Sequence, residues 1–464
     1  MRNSQTRWSV LTPVIASCFW LSCGSDRSST SEGAGPRGIA ATPGAFQDPG
    51  QAEWTLVSRD RVAAECGLDP KLLDEIDRQL DRPYAIVRYG KLCHEYYPPG
   101  ETADRKSHVY SLTKTLTAVV TGALIKQVRE TSVEKGGSAF SLQDRVDRWL
   151  TPVPYNRDAR ISHVLAMVAH SQDLAQGQKR FTYDFFGTTQ VNTLGPILNK
   201  VLRKQADPRL GANLEEFTRK HLYGPLGMKH TVWSSGFPDK IVAFSMESTV
   251  RDLARLGLLI AHNGFWNGQQ LLDEDFVYQM THPAYEDGNT GYGFLTWLNS
   301  RYNYATAQGV KQLRPLDGCA PAALHAAYPH GLSAAQDCNY QGPEQCGQKF
   351  DAGVFHAAGI FGQVIAGHRG LDLVMVVKNM SQTPEPGDDS GDIDPDPNPD
   401  PDPDPQPEPP EQKLTGGRDL WKVIRPAVVA QDPIFRGDEE AFCRAYGNNE
   451  YAPSLAPLAP EPPM

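Results

Sequence analysis

The chain has 464 residues, of which 40% are hydrophobic and 9% aromatic, enough to bury a sizeable core in one large domain or in a few ordinary ones. Its formal net charge is −10, and residues 384–413 alone hold eleven acidic residues and one lysine, so the rest of the chain is neutral. This balance argues against a basic face for nucleic acid and gives no support to an acidic-substrate partner.

The first 53 residues are typical of an export signal followed by a tether. Residues 1–23 combine two early arginines with an apolar run that is too short to span a bilayer comfortably. Small residues precede two cysteines as in the lipobox of bacterial lipoproteins, which predicts lipidation at Cys23, with Cys18 as the alternative. Residues 24–53 are rich in Ser, Gly and Pro and suit a flexible tether. We expect an exported protein, lipid-anchored on the periplasmic or outer face of a bacterial envelope; cleavage to a soluble product is the alternative.

The cysteine count agrees with export. After modification at Cys23 an even set remains, which can pair in an oxidising compartment. These cysteines are Cys66, Cys93, Cys319, Cys338, Cys346 and Cys443. Their pairing stays open. No C-x-x-C or H-E-x-x-H spacing occurs in the sequence, so no metal site is expected.

Elements are predicted in chain order from hydrophobic periodicity. Residues 68–80 have helical spacing, and YAIVRYGKLCHEYY is typical of a β-hairpin that turns at Tyr89-Gly90. A buried helix follows from Ser111. Further helices are predicted in FSLQDRVDRWL, ISHVLAMVAH, the second half of FTYDFFGTTQVNTLGPILNKVL, LEEFTRKHLYGPLGM and STVRDLARLGLLIAHNG. Gly224-Pro225 is predicted to stop the fourth of these.

The late part of the chain contains three strand-like runs, YGFLTWL, HAAGIFGQVIAG and LDLVMVVKNM, and DLWKVIRPAVV is a short terminal helix. This order predicts one α+β domain whose antiparallel sheet joins the two ends of the chain, with helices in the middle. The domain is expected to span 54–383 and to be completed by the helix within 414–445. Residues 384–413 read as an Asp/Pro-rich, solvated insertion, and 446–464 as a Pro-rich tail.

Ser111 and Lys114 are the first residues with a chemical signature. They lie one helical turn apart, hence on one face, at the head of an apolar run that predicts a buried helix. Burial would lower the pKa of the lysine and suit it to accept a proton. Ser132 and Lys135 share the spacing but run into glycines, so the four-residue pattern alone carries little weight. A helix-capping serine is the alternative for Ser111.

Two segments, IVRYGKLCHEYYPPG and HVYSLTKTLTAVVTGALI, resemble the opening of the penicillin-recognising serine hydrolases. That group includes class C β-lactamases, family VIII esterases, D-Ala-D-Ala carboxypeptidases and aminohexanoate-oligomer hydrolases. GPLGMKHTVW, TVRDLARLGLLIAHNGFWNGQQLL and YGFLTWL resemble later blocks of the family in the same order. The resemblance runs from about residue 54 to 445, apart from the Asp/Pro insertion. It implies a β-lactamase/transpeptidase-like fold, with an antiparallel sheet and a helical subdomain.

The resemblance implies that Ser111 is the nucleophile that forms an acyl-enzyme and that Lys114 is the neighbouring base. Tyr183, in RFTYDFFG, stands where the family has a proton-shuttling tyrosine, although core packing is the alternative. Phe185 occupies the substrate-binding position at which the family has Asn or Ser, so a side-chain amide contact to substrate is missing. Asp184 is expected to raise the pKa of Tyr183.

The segment HAAGIFGQ resembles the family's strand that carries K-T-G or H-x-G. Gly359 matches the glycine, and Ala357 stands in the Lys/His place. Gly359, Gly362 and Gln363 resemble the aminohexanoate-hydrolase branch and are taken as substrate-binding. The family likeness also implies an oxyanion hole made by the backbone N–H groups of Ser111 and Ile360. Because the cation is missing, β-lactamase activity is not expected.

These features predict a monomeric serine hydrolase that cleaves a small-molecule or peptide ester or amide, with no cofactor. The alternative is a catalytically silent protein of the same fold that binds cell-wall peptide or a protein partner. That alternative is motivated by Phe185 and Ala357.

Overall fold

The structure is a computed structural model. It describes residues 47–135, 139–172, 174, 181, 183–184, 187–233, 241–282, 284–285, 291–298, 302–306, 309–313, 354–379, 417–431 and 437. All of them belong to the unit Pro36–Met464. The predicted signal peptide, the tether as far as residue 46, the 384–413 insertion and the 446–464 tail lie outside these residues and stay predictions.

The helices fill the middle of the chain and cap its end. The described α-helices are α1 (Val62–Cys66), α2 (Pro70–Leu80), α3 (Thr113–Lys135), α4 (Ile161–Leu165), α5 (Thr188–Asn192), α6 (Leu194–Gln205), α7 (Leu214–Thr218), α8 (Gly224–Leu226), α9 (Val250–Ala261), α10 (Glu274–Thr281) and α11 (Gly417–Gln431). Among the described residues, no helix is both long and apolar enough to cross a bilayer.

The described strands form one large sheet and three small ones. They are β1 (Tyr84–Arg88), β2 (Lys91–Tyr96), β3 (Ser107–His108), β4 (Val232–Trp233), β5 (Met246–Ser248), β6 (Phe265–Trp266), β7 (Gln269–Gln270), β8 (Trp297–Leu298), β9 (Tyr302–Thr306), β10 (Gly309–Leu313), β11 (Val354–Gly359), β12 (Gln363–His368) and β13 (Leu373–Val377). The main sheet has the order β2-β1-β13-β12-β11-β8, with every pairing antiparallel, and β3-β5-β4 form a small separate sheet. The predicted sheet that joins the two chain ends is confirmed.

Strand alternation explains why the main sheet has helices on both sides. In β1, Ala85 and Val87 belong to the core that contains α3 and α9, whereas Tyr84 and Ile86 face the core that contains α2 and α11. The predicted hairpin also forms. Tyr89 and Gly90 both have positive φ, at 52° and 70°, as a two-residue hairpin turn that matches strand twist requires.

The predicted helix over 140–150 is wrong. The segment holds only a 3-10 turn, Val146–Arg148, because part of its backbone pairs with a later segment. Val146 N–H donates to the Ala159 carbonyl at 2.8 Å, and the Asp144 carbonyl accepts from the Ile161 N–H at 3.1 Å. These long-range bonds remove the groups that a helix would use internally.

Other helices and strands also begin or end at residues different from those predicted. The helix predicted over 161–170 stops at Leu165, since Met167 has a φ of 57°. HAAGIFGQVIAG is not one strand but two, β11 and β12, joined by a turn at Ile360–Gly362. In YGFLTWL only Trp297–Leu298 is a strand. Gly224-Pro225 does not stop its helix, because α7 runs through a π-helical turn, Arg219–Tyr223, into α8, which ends at Leu226.

A disulfide joins Cys66, at the end of α1, to Cys93 in β2. Both side chains are buried, so the bond ties the N-terminal helices to the edge of the main sheet. The other predicted cysteines, at 319, 338, 346 and 443, lie outside the described residues.

Replacing Cys93 with Ala should lower the free energy of unfolding by about 3 kcal/mol, because the bond closes a loop across a sequence separation of 27 residues. Urea denaturation of the wild type and of Cys93→Ala, both without reductant, measures the change. The Cys66→Ala/Cys93→Ala double variant is the control and should match the single variant. Equal midpoints for the wild type and the single variant would contradict the expectation.

Candidate active site

Ser111 lies in a 3-10 turn, Tyr110–Leu112, between β3 and α3. Backbone hydrogen bonds tie this turn to β5. The Val109 N–H donates to the Met246 carbonyl at 2.9 Å, and the Met246 N–H donates to the Thr113 hydroxyl at 3.1 Å. The serine is therefore carried on a backbone that is held on both sides of the turn.

The end of β11 contacts this turn closely. A Cβ on Gly359 would lie 2.2 Å from the Val109 carbonyl oxygen, nearer than real Cβ atoms approach. Only glycine allows the strand to come so close. Ile360 follows immediately, so its backbone is brought alongside the Ser111 turn. An oxyanion hole formed by the Ser111 and Ile360 N–H groups requires this arrangement, and that role stays a prediction.

Ser111 and Lys114 are brought together. The Lys114 amine lies 2.8 Å from the Ser111 Oγ, and it also donates to the Ala243 carbonyl at 3.4 Å. Burial lowers the pKa of Lys114 to about 8, because the charged amine loses its water. At pH 7 about a tenth of the amine is then neutral, far more than for an exposed lysine, and this neutral fraction can accept the proton of the serine hydroxyl.

Tyr183 is buried in an aromatic cluster. Its ring centroid lies 5.0 Å from that of Tyr292 and 6.1 Å from that of Trp297. Its hydroxyl has no hydrogen-bond partner among the described residues. Burial raises the pKa of Tyr183 well above its ordinary value, and Tyr292 and Asp184 raise it further. The expected effect of Asp184 is thus confirmed in direction, although burial is the larger cause.

No hydrogen bond within the described residues links Tyr183 to Ser111 or Lys114. The sequence placed Tyr183 with the dyad as a proton shuttle, and the geometry instead places it in the core that backs the site. Its catalytic role stays a prediction. Phe185, the position that departs from the family, lies outside the described residues.

Gln363 does not face the site, which corrects its expected contact with substrate. Its side chain is 1% exposed and joins the ends of β12 and β13. The side-chain N–H donates to the Asn379 carbonyl at 2.9 Å, and the side-chain oxygen accepts from the Asn379 N–H at 3.3 Å. Gly362 has a φ of 82°, a backbone conformation that glycine adopts readily and that the turn between β11 and β12 uses.

The second S-x-x-K occurrence has an ordinary structural role. Ser132 is buried near the end of α3 and its hydroxyl donates to the Gln205 side chain at 3.3 Å. The bond joins α3 to α6, away from the turn that carries Ser111.

Sequence reasoning missed Lys378, which follows β13 and is fully buried. Its amine donates to the Ser248 carbonyl and, at 3.4 Å, to the Ser107 carbonyl. Ser107 and Ser248 are paired between β3 and β5, so the lysine ties the small sheet that leads into the Ser111 turn to the main sheet. Burial lowers the pKa of Lys378 to about 7. A lone lysine at the end of a strand carries no pattern that would have revealed this role.

The described part of the chain holds no cluster of three or more His, Cys, Asp or Glu side chains arranged for a metal ion.

The main sheet, the central helix α3 and the Ser–Lys pair at its start place the chain among the serine hydrolases of the β-lactamase/transpeptidase-like fold. The Beta-lactamase family model matches residues 84–395. The chain belongs to this family, which confirms the resemblance and the fold class inferred from the sequence.

Solved structures show the same likeness. A candidate beta-lactamase from Bacteroides dorei DSM 17855 aligns at 16% identity and a TM-score of 0.45, covering 67% of this chain and 92% of that one. A candidate 6-aminohexanoate-dimer hydrolase from Bacillus anthracis aligns at 16% identity and a TM-score of 0.45, covering 74% of this chain and 86% of that one. A beta-lactamase/D-alanine carboxypeptidase from Pseudomonas syringae aligns at 12% identity and 0.41, covering 80% and 99%. The family assignment rests on the family match and not on these distant likenesses.

The pKa of Lys114 predicts a pH profile. Because only the neutral amine accepts the serine proton, the rate of covalent labelling of Ser111 should rise about tenfold per pH unit below pH 8 and level off above it. A fluorophosphonate probe, corrected at each pH for its own hydrolysis, measures this rate. A rate that does not change between pH 6 and pH 9 would contradict the assignment of Lys114 as the base.

Gly359→Ala should push β11 away from the Val109 carbonyl and displace the Ser111 turn. A shift of about 1 Å at a reacting group costs roughly 100-fold in rate, so labelling of Ser111 should fall by that order while the circular dichroism spectrum is retained. Ala358→Ser, one residue earlier on β11, is the matched control. Equal labelling of the two variants would show that the close approach does not position the serine.

Proposed function

We propose that this chain hydrolyses an ester or amide through an acyl-Ser111 intermediate, with Lys114 as the base. The observation that carries the proposal is the 2.8 Å contact between the Ser111 Oγ and the buried Lys114 amine. A serine hydroxyl is a weak nucleophile unless a neighbouring base removes its proton. Here that base is buried, has a lowered pKa and is fixed one helical turn away.

In the acylation step the neutral Lys114 amine takes the Ser111 proton while the Oγ attacks the substrate carbonyl carbon. The backbone N–H groups of Ser111 and Ile360 receive the negative charge that develops on the carbonyl oxygen. As the intermediate collapses, Lys114 returns the proton to the leaving oxygen or nitrogen. A water molecule then repeats the sequence on the acyl-enzyme, with Lys114 again accepting and returning one proton.

The proposed dyad does not need the Tyr183 hydroxyl. That hydroxyl is buried without a described partner, and its raised pKa keeps it protonated at neutral pH. Among the described residues, Lys114 is the side chain that hydrogen-bonds the Ser111 hydroxyl, so in this proposal one group performs both proton transfers.

Fluorophosphonate labelling of the purified protein tests the proposal. Ser111→Ala should abolish labelling, and Lys114→Met should slow it by a factor on the order of 100 to 10,000. Tyr183→Phe should retain the wild-type rate within about threefold, because it removes an oxygen that has no hydrogen bond to Ser111 or Lys114 among the described residues. Ser132→Ala is the matched control for the second S-x-x-K occurrence and should label normally.

Three results would overturn parts of this account. Failure of the wild type to label, together with no ester turnover, would favour a silent binding protein of the same fold. Equal labelling of Ser111→Ala would show that another residue reacts. A labelling rate more than about 100-fold lower in Tyr183→Phe would show that the tyrosine takes part in proton transfer.

A further inference from the structure

Large apolar side chains are exposed on both sides of the Ser–Lys dyad. In the described part of the chain the exposed large hydrophobic residues are Leu56, Val232, Ile241, Phe244, Ile360 and Phe361. Four of these belong to the two segments beside the dyad: Ile360 and Phe361 to one, and Ile241 and Phe244 to the other. Exposed apolar side chains gathered at one place usually mark a binding surface, whereas scattered ones carry no meaning.

The strand-side rim consists of Ile360 and Phe361, in the turn between β11 and β12. Their side chains are 55% and 43% exposed. The Phe361 ring packs edge-on against the ring of Tyr110, with centroids 5.1 Å apart, and Tyr110 directly precedes Ser111. This rim therefore borders the serine on the side of the Ile360 backbone.

The lysine-side rim consists of Ile241 and Phe244. It borders the dyad from the other direction, because the Ala243 carbonyl accepts from the Lys114 amine at 3.4 Å. The neighbouring Val242 carbonyl accepts from the Thr117 hydroxyl at 2.6 Å, which holds the segment along α3. Phe244 is thus one residue from the atom that touches the base.

Among the described residues of the two rims, no side chain is cationic. Residues 241–246 are uncharged. His108, in the strand before the turn, lies 3.4 Å from the Glu247 carboxylate. Lys378 is buried and donates to backbone carbonyls. Lys106, two residues before His108, lies 3.7 Å from the same Glu247 carboxylate. A carboxylate on the substrate would therefore lose its hydration between two rims whose described residues carry no cation.

We propose, on the basis of the proposed hydrolase function, that the site selects uncharged substrates with an apolar acyl chain on the strand-side rim and an apolar leaving group on the lysine-side rim. The assignment of the acyl chain to one rim and the leaving group to the other follows from the proton transfer by Lys114. Lys114 must return its proton to the leaving oxygen or nitrogen, so the leaving group lies on the Lys114 and Phe244 side. The acyl chain then extends towards Ile360 and Phe361.

Kinetics on the purified full chain test the acyl half. The wild type should hydrolyse p-nitrophenyl hexanoate at least about tenfold faster, in kcat/KM, than the p-nitrophenyl monoester of adipate, which has the same length but ends in a carboxylate. The hexanoate-to-acetate ratio should fall threefold to tenfold in Phe361→Asn and in Ile360→Thr, since full burial of a methylene is worth about fourfold. Asn suits the φ of 65° at position 361.

The leaving-group half has its own pair of substrates. Hexyl butyrate should be preferred over ethyl butyrate, and Phe244→Gln should reduce that ratio while leaving the hexanoate-to-acetate ratio in place. The strand-side variants should show the reverse pattern. Leu56→Gln, an exposed apolar residue beside β2, is the matched control and should shift neither ratio.

The outcomes separate this inference from the proposed function. If Ser111 is labelled by the fluorophosphonate but the adipate monoester is hydrolysed as fast as the hexanoate, the inference is wrong and the hydrolase function stands. If the rim variants shift neither ratio, or shift the opposite ratios, the assignment of the rims is wrong. If Ser111 is neither labelled nor acylated, both proposals fail together.

Discussion

The contact between Lys114 and Ser111 depends on a buried amine beside which the described residues place no carboxylate. Burial alone lowers the pKa of Lys114; an acidic neighbour would hold the amine in its charged form and remove its basicity. The apolar core around α3 therefore has a chemical consequence as well as a structural one. The helix is buried because Leu116, Val119 and Val120 pack into the larger core. That burial lowers the pKa of Lys114 in its first turn.

The serine needs a second constraint, which is the position of its backbone. Val109 is held on one side by the hydrogen bond to Met246 and on the other by the close approach of Gly359. Lys378 ties the strands behind this turn to the main sheet through buried carbonyl oxygens. Two distant parts of the chain, β5 and β11, thus meet at the nucleophile, so the site exists only when the sheet that joins the chain ends is complete.

The sequence predicted the elements with local signals well. The hairpin at Tyr89-Gly90 and the helices α2, α6 and α9 follow from turn residues and apolar periodicity that neighbouring residues complete by themselves. The Ser111–Lys114 pair was found because both residues lie on one helix. The prediction over 140–150 was wrong because distant backbone groups compete for its hydrogen bonds. Gln363 was misplaced because its partner, Asn379, lies just after another strand, β13. Lys378 and the rim around Phe244 required the tertiary structure, since no spacing in the sequence brings them to Ser111.

The central claim is that burial lowers the pKa of Lys114 far enough for its neutral form to act as the base, and NMR titration of lysine residues labelled with carbon-13 at Cε tests it most directly. Loss of one resonance in Lys114→Met assigns the signal and separates it from that of Lys378, the other buried lysine with a lowered pKa. The account predicts that the Lys114 resonance titrates with a pKa of about 8. Titration near the ordinary lysine value, above about 10, would contradict it.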